Sequence, residues 1–289
     1  MYAVVTESVK SGGDPPRPRS IVFDLFGDYV RYHGGEVRLR ALARLMSAFA
    51  IPADTTRVAM QRLRKDGWFE AERVGRETLY RPTERTWQLL DEGRQRIFER
   101  AGREWDGQWF TAVLNVPESA RPARDRLRRR LTWLGFGSLS PGVWICAHDR
   151  FAAVEAAVAE EDGARVELLY TRTAGLEADR EIAQRCWDLA GLDRDYAAFA
   201  AAVEAGLSSG ELAAARGPAA MVARVNLVHE YRRFPFRDPD LPAALVGEDW
   251  HGGSAHELFL RAREALGPAA EEWFGEVFAG RDSAAQLNQ

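Results

Sequence analysis

Cysteine and lysine are scarce in this chain of 289 residues, and no long apolar run interrupts it. The two cysteines, Cys146 and Cys186, stand far apart and outside any metal-ligand spacing. That excludes a disulfide-stapled secreted scaffold and suits a reducing, cytoplasmic setting. No stretch reaches the roughly 20 apolar residues a membrane helix needs, so no membrane partner is expected. The start lacks the basic-then-apolar order of a signal peptide, and residues 1–19 read as a disordered polar leader.

Signals for catalysis are equally thin. Cys146 and His148 are too few for a metal site, and His229-Glu230 lacks the second His of a zinc-protease pair. Gly135-Phe136-Gly137 lacks the third glycine of a dinucleotide loop and falls between a helix and a strand, so it reads as a turn. No Ser, His and acid arrangement suggests a nucleophile. The expectation is a protein without catalytic residues, metal ligands or a bound cofactor, and not an enzyme.

Hydrophobic residues make up 46% and charged residues 28%, enough core material for two or three compact units. Lys10 and Lys65 are the only lysines, so nearly all cations are Arg, the better residue for bidentate base and phosphate contacts. A high-GC genome would give the same bias. The net charge of −4 is unevenly spread: residues 17–100 hold 17 Arg or Lys against 12 Asp or Glu, leaving a basic head on an acidic body. Screening over about 8–10 Å lets such a head attract phosphate locally.

The head reads as helix, helix, turn, helix, hairpin. Ile21, Leu25 and Phe26 mark a helix from Ser20 to Arg31, broken by Gly34-Gly35. Leu39, Leu42, Leu45, Met46 and Phe49 mark a second. Pro52 ends it, and Asp54 is placed to cap a third helix that Gly67 closes. Trp68 to Leu79 reads as two strands around Gly75-Arg76. This order is a winged helix-turn-helix. A polar connector helix follows from Glu84 to Arg103. Strand signals over 109–116, 136–139, 143–147 and 165–171, with helices over 120–134 and 151–161, give βαββαβ, the ferredoxin-like order. The rest is mostly helical. The fold class is therefore α+β and multidomain: winged helix with connector over 20–103, ferredoxin-like domain over 104–175, helical C-terminal domain over 176–289.

The third helix carries the most information. With Ala59, Met60 and Leu63 packed inward, Thr55, Thr56, Arg57, Gln61 and Arg62 would project outward from its first half, where a recognition helix reads base edges in the major groove. Arg57 suits guanine and Gln61 adenine; Arg64 and Lys65 lie where backbone phosphate is the expected partner. Arg73 and Arg76 fall on the wing, with Arg76 at its tip, the place for minor-groove or flanking contact. Arg73 and Arg81 can instead pair with Glu72 and Glu77. A plain solvated helix face would also expose arginines; the preceding helix and following hairpin favour DNA. Near the other end, His229, Arg232, Arg233 and Arg237 lie beside Phe236 and Trp250, a mixture that suits an anionic ligand bearing an apolar group. A loop stapled by Asp238-Pro239 and salt bridges would look the same.

Three segments resemble one known family. Ile21 to Asp28 with Gly34-Gly35-Glu36-Val37, then Arg62-Leu63 through Trp68 with Gly75-Arg76 and Tyr80-Arg81-Pro82-Thr83, resemble the entry to PaaX-type regulators, repressors of phenylacetate catabolism. Trp105 to Trp109 and Leu134 to Gly137 with Pro141 to Trp144 resemble that family's central domain. Val228 to Phe234, Asp238 to Pro242 and Asp249-Trp250 resemble its C-terminal domain. The resemblance implies a homodimer that binds a double-stranded operator and is released by an aryl- or acyl-CoA thioester. The central domain is also similar to small CRISPR-associated endoribonucleases, which carry a metal-binding Asp where this chain has Asn115; Asn is a poor Mg²⁺ ligand, so dimerisation or spacing is the expected role. The rival reading is a CoA-ester-binding enzyme or metal-dependent nuclease with a DNA-binding appendage, and a third is an architectural protein without ligand.

Overall fold

The computed structural model describes residues 17–99 and 104–280. Residues 1–16 of the expected leader, the last residues of the connector and the tail after Gly280 lie outside the described residues, whereas Pro18 and Arg19, expected in the leader, already belong to the first helix. The chain forms two units: one built from the described residues of 1–99 with 199–232 and 254–280, the other from 104–198 and 233–253. The helices after residue 176 are thus shared out between the two units.

In the first unit, α1 (Pro18–Asp28) buries Ile21, Val22, Leu25 and Phe26, a stripe at helical spacing. It ends at Asp28, earlier than the expected Arg31, and a 3₁₀ turn covers Val30–Tyr32. Gly34 and Gly35, at φ of 89° and 72°, turn the chain into β1 (Val37–Arg38), a short strand that the sequence pattern did not announce. α2 (Leu39–Ser47) buries Leu42, Leu45 and Met46. It stops in a Schellman motif: Ile51 N–H donates to Met46 O (3.2 Å) and Ala50 N–H to Ser47 O (3.0 Å), with Ala50 left-handed at φ 56°.

α3 (Ala53–Lys65) follows. Its N-cap is Pro52 and no side chain caps it, so the expected cap Asp54 sits inside the first turn, where its charge suits the helix dipole. A second Schellman motif ends α3, with Trp68 N–H on Leu63 O (2.9 Å) and Gly67 at φ 76°. β2 (Phe69–Val74) and β3 (Glu77–Pro82) form an antiparallel hairpin, and β1 adds to β3, giving the order β1-β3-β2. Only Gly75 and Arg76 separate the strands. Gly75 has φ 63°, as a II′ turn requires at its first position. α4 (Glu84–Phe98) leaves the hairpin through Thr83 and Thr86, whose hydroxyls donate to Trp68 O at 3.1 and 2.5 Å.

The same core takes in helices from the far end of the chain. Met221 and Val225 of α10 (Gly217–Tyr231) and Trp273, Phe274 and Val277 of α12 (Gly252–Phe278) join Leu25, Tyr29, Leu45 and Met60 in one buried cluster. The last helical stretch is one helix running through Pro268. Between these come α8 (Leu189–Ser208), divided between the units, and the short α9 (Glu211–Ala214).

The second unit runs β4 (Trp109–Asn115), α5 (Arg121–Trp133), β5 (Gly137–Ser140), β6 (Val143–Cys146), α6 (Phe151–Ala159) and β7 (Arg165–Thr171). The sheet is antiparallel, in the order β5-β6-β4-β7. Alternation sorts its side chains: Phe110, Ala112, Trp144 and Cys146 meet Leu127 and Leu131 of α5 and Val154 of α6. Trp109 and Ile145 face the other way, onto Ala183 of α7 (Leu176–Cys186), Leu189, and Leu245 of the short α11 (Ala243–Val246). Covered on both faces, β4 reads as a nearly continuous apolar run. Asp179 locks α7 in place, accepting from the indoles of Trp105 (3.0 Å) and Trp109 (2.7 Å) and the hydroxyl of Thr173 (2.7 Å). Gly135, at φ 89°, closes α5, and a Cβ at Gly137 would lie 2.7 Å from Trp187, so this pair marks a helix stop and a close approach. Among the described residues no helix is long and apolar enough to cross a membrane.

Candidate nucleic-acid interface

α3 has two unlike sides. Thr56, Met60 and Leu63 are buried, with Ala59 half-buried beside them, while Thr55, Arg57, Gln61, Arg62, Arg64 and Lys65 are exposed. Thr56, expected to face outward, is fully buried, and its hydroxyl donates to Pro52 O at 3.2 Å. The reason is periodic: Thr56 precedes Met60 by one turn and Leu63 by two, so it belongs to their stripe. Its hydroxyl satisfies itself on the preceding turn, which makes a polar residue tolerable there. The remaining outward residues still share one continuous surface.

Arg57 is held ready by Asp54, donating from Nη1 to Oδ1 at 2.6 Å, with both side chains more than half exposed. Such a pair is worth little in stability and can open to a competing anion. Arg62, Arg64 and Lys65 occupy the last turn, where cations complement the helix dipole. On the hairpin, Arg73 Nε donates to Gly75 O at 3.2 Å, bracing the turn, and Arg76 stands exposed at its tip. Arg81 is bound on both sides, by Glu36 at 2.6 Å and Glu72 at 2.7 Å, and those hydrogen bonds raise its pKa further. It tethers the hairpin to the segment before β1. Arg38, in turn, takes Glu77 at 2.8 Å.

Two exposed arginines on the neighbouring helix went unforeseen: Arg40 and Arg44 lie one turn apart on the outer side of α2. Their signal was available, since they fill the gaps of the Leu39, Leu42, Leu45, Met46 stripe. At the base of the hairpin Trp68 is flanked by Arg85 (4.0 Å from guanidinium carbon to ring centre) and Arg19 (5.2 Å), which fixes α1 and α4 around it.

The expected ligand residues divide between the units. His229 and Arg232 belong to the first, where Arg232 donates to Asp24 (2.5 Å), Ser20 (2.5 Å) and His229 Nδ1 (2.8 Å). Arg233, Phe236, Arg237 and Trp250 belong to the second. There Arg237 pairs with Asp195 at 2.5 Å, Phe236 packs on Trp133, and Trp250 meets Tyr196 edge-on. Tyr196 also stacks on Phe234 and donates to Asp238 at 2.7 Å. His148 meets Asp240 O at 2.6 Å, and Asp240 takes a left-handed φ of 54°. Several of the motif residues between 228 and 250 thus carry structural bonds.

Among the described residues no group of three or more His, Cys, Asp or Glu is placed to hold a metal ion. Burial pushes the Cys146 thiol up to about 11 and raises that of Cys186, which leaves little thiolate for chemistry at neutral pH.

Comparison with known proteins agrees with this architecture along nearly its whole length. A family model described as PaaX-like protein matches residues 17–86, the PaaX protein central Cas2-like domain matches 102–183, and the PaaX-like protein C-terminal domain matches 187–276. The chain belongs to the PaaX-like family. The transcriptional repressor PaaX of Escherichia coli (strain K12) is 26% identical over 271 residues, covering 91% of this chain and 84% of that protein. A solved structure of an uncharacterized protein from Mycobacterium tuberculosis shares the fold, with a TM-score of 0.60 at 24% identity over 88% of this chain and 97% of that one.

Proposed function

We propose that this protein is a one-component transcriptional regulator, most simply a repressor of aromatic-acid catabolic genes of the phenylacetate type, acting in the cytoplasm as a homodimer on a double-stranded operator. The observation that carries the reading is the two-sided α3: a buried stripe of Thr56, Met60 and Leu63 behind an outward row of Thr55, Arg57, Gln61 and Arg62. The preceding α2, the three-stranded β1-β3-β2 sheet and the Arg76 tip support reading this head as a winged helix-turn-helix. The name of the Escherichia coli relative, a transcriptional repressor, supports the same reading.

We read the second unit's β5-β6-β4-β7 sheet with α5 and α6 as a ferredoxin-like domain that assembles rather than cuts. Asn115, exposed at the end of β4, offers an amide where a divalent-cation site would want a carboxylate. The effector is an aryl- or acyl-CoA thioester, which joins phosphates suited to arginines with an apolar group suited to the aromatics of the last third. Its coupling to DNA must be reciprocal, typically 1–3 kcal/mol. The test is selection of duplexes from a random pool by the full chain, followed by sequencing. An inverted repeat should emerge, because a two-fold dimer reads two equivalent half-sites. A pool that stays random after repeated rounds would overturn the proposal.

A further inference from the structure

The second unit carries a cationic surface that the proposed recognition helix does not explain. α5 reads Arg121-Pro122-Ala123-Arg124-Asp125-Arg126-Leu127-Arg128-Arg129-Arg130-Leu131-Thr132-Trp133. Ala123, Leu127 and Leu131 are buried at intervals of one turn and seat the helix on the sheet. Two of the six arginines are committed. Arg126 grips Glu161 with both ends of its fork, at 2.7 and 2.6 Å, and half-buried Arg124 reaches the carbonyls of Val116 and Pro117. Arg121, Arg128, Arg129 and Arg130 are exposed, and among the described residues none of the four has an ion-pair partner.

A merely solvated helix would interleave signs. Here Arg124 lies one turn before Arg128 and Arg126 one turn before Arg130, like-charge spacings that each cost a few tenths of a kcal/mol. Asp125, the helix's single acid, one turn from both Arg121 and Arg129, offsets only part of that charge. The helix dipole accounts for Arg130 in the last turn but not for Arg121 at the first. The concentration is also set within a chain whose net charge is −4. An external polyanion offsets such a cost.

We infer that the exposed face of α5 carrying Arg121, Arg128 and Arg129 is a second nucleic-acid contact, which grips the sugar–phosphate backbone of duplex DNA without reading sequence. The face is a helix surface carrying separate guanidinium groups, which suits an extended backbone. The exposed positions from Arg121 to Arg130 hold no aromatic side chain for base stacking, and the nearest rings, Trp133 and Phe236, pack on each other at the end of the helix. The inference rests on the proposed DNA-binding function and adds that the second unit supplies part of the affinity.

The experiment compares the full chain with the double variants R128Q/R129Q and R128K/R129K by fluorescence anisotropy on a long selected duplex, on its scrambled version and on a single strand. Each phosphate that is no longer neutralised lowers the salt slope by about 0.9. The Gln variant should therefore bind both duplexes more weakly, with its slope reduced by about 2 and its preference for the selected sequence unchanged. Its affinity gap from the parent should narrow about tenfold between 50 and 200 mM salt. The Lys variant, which keeps the charge, should retain most of the slope. An unchanged slope for the Gln variant, equal losses for the Lys and Gln variants, or tighter binding to the single strand would overturn the inference while leaving the sequence-specific reading of α3 standing. A parent chain that shows no preference for the selected duplex over the scrambled one would count against the α3 reading instead.

Discussion

Arg232 and Asp24 form an ion pair at 2.5 Å that joins the end of α10 to the middle of α1 across 208 positions of sequence. α1 is also held by Asp28–Arg263 at 2.8 Å, and Arg224, which bonds Glu271 at 2.8 Å, sits 5.0 Å from the ring centre of Tyr29. The helix that opens the proposed DNA-binding head is thus bound to the chain's late helices by charge as well as by the shared core. Above pH 7, where Asp24 is ionised, removing the guanidinium leaves a buried carboxylate without its counter-charge, so Arg232→Ala should there destabilise the first unit by about 3 kcal/mol in denaturant titration.

That pair also predicts a pH dependence. Burial, assisted by neighbouring Asp28 and opposed by Arg232, pushes the Asp24 carboxyl up from 3.8 to about 7. The folded state therefore holds a proton that the unfolded chain releases near pH 4. Asp24's contribution to stability is full below that value and is lost as pH rises towards 7. Asp24→Asn should flatten the fall in stability between pH 4 and 7; an unaltered profile would show that another group is responsible.

The two Schellman motifs of the head make a matched pair of predictions. Gly67 occupies the left-handed position after α3, and Ala50 the same position after α2. Ala50→Gly should be neutral or stabilising by up to about 1 kcal/mol, against the usual direction of Ala→Gly changes, and Gly67→Ala should cost about 1 kcal/mol. Thermal melts of the two variants decide this.

Thr56 and Arg57 are neighbours with opposite predicted effects. Thr56→Ala should lower stability by about 1 kcal/mol and leave base preference unaltered, because its side chain is turned into the core. Arg57→Ala should leave stability nearly unchanged, cost about 1–3 kcal/mol on the cognate duplex and relax the preference at one base pair. Lys65→Ala should weaken all duplexes alike and lower the salt slope by about 0.9.

Much of this fold was legible because strong periodicity and punctuation coincide. The strand over 165–171 and the helix over 120–134 lie within a residue or two of where pattern places them, and the hairpin turns at Gly75-Arg76 as expected, although β3 runs on to Pro82, three residues past Leu79. β1 was not legible, since two residues carry no period and their pairing with Tyr80 and Leu79 is tertiary. Thr56 misled because a polar residue on a buried stripe looks like part of the outward face until its turn-to-turn alignment with Met60 is followed. In the last third, Arg232 and Arg237 looked like ligand-binding cations, yet their acids, Asp24 and Asp195, stand far away in sequence. Linear spacing cannot announce such partners.

For the effector, a panel of CoA thioesters and the matching free acids can be titrated into operator-bound protein. An aryl- or acyl-CoA thioester should release DNA where its acid does not, and Arg233→Ala should blunt that release. Release by free acids alone would reject the thioester.

The central claim is that the outward face of α3 reads duplex DNA. Its most direct test is competition anisotropy with the selected duplex and a scrambled one, for the parent chain and for Arg57→Ala combined with Gln61→Ala. The parent should prefer the selected duplex by about 10³-fold or more, and the double variant should lose about 2–6 kcal/mol on it while holding its affinity for the scrambled duplex within a few-fold. Equal binding of both duplexes by the parent, or an undiminished preference in the double variant, would contradict the account.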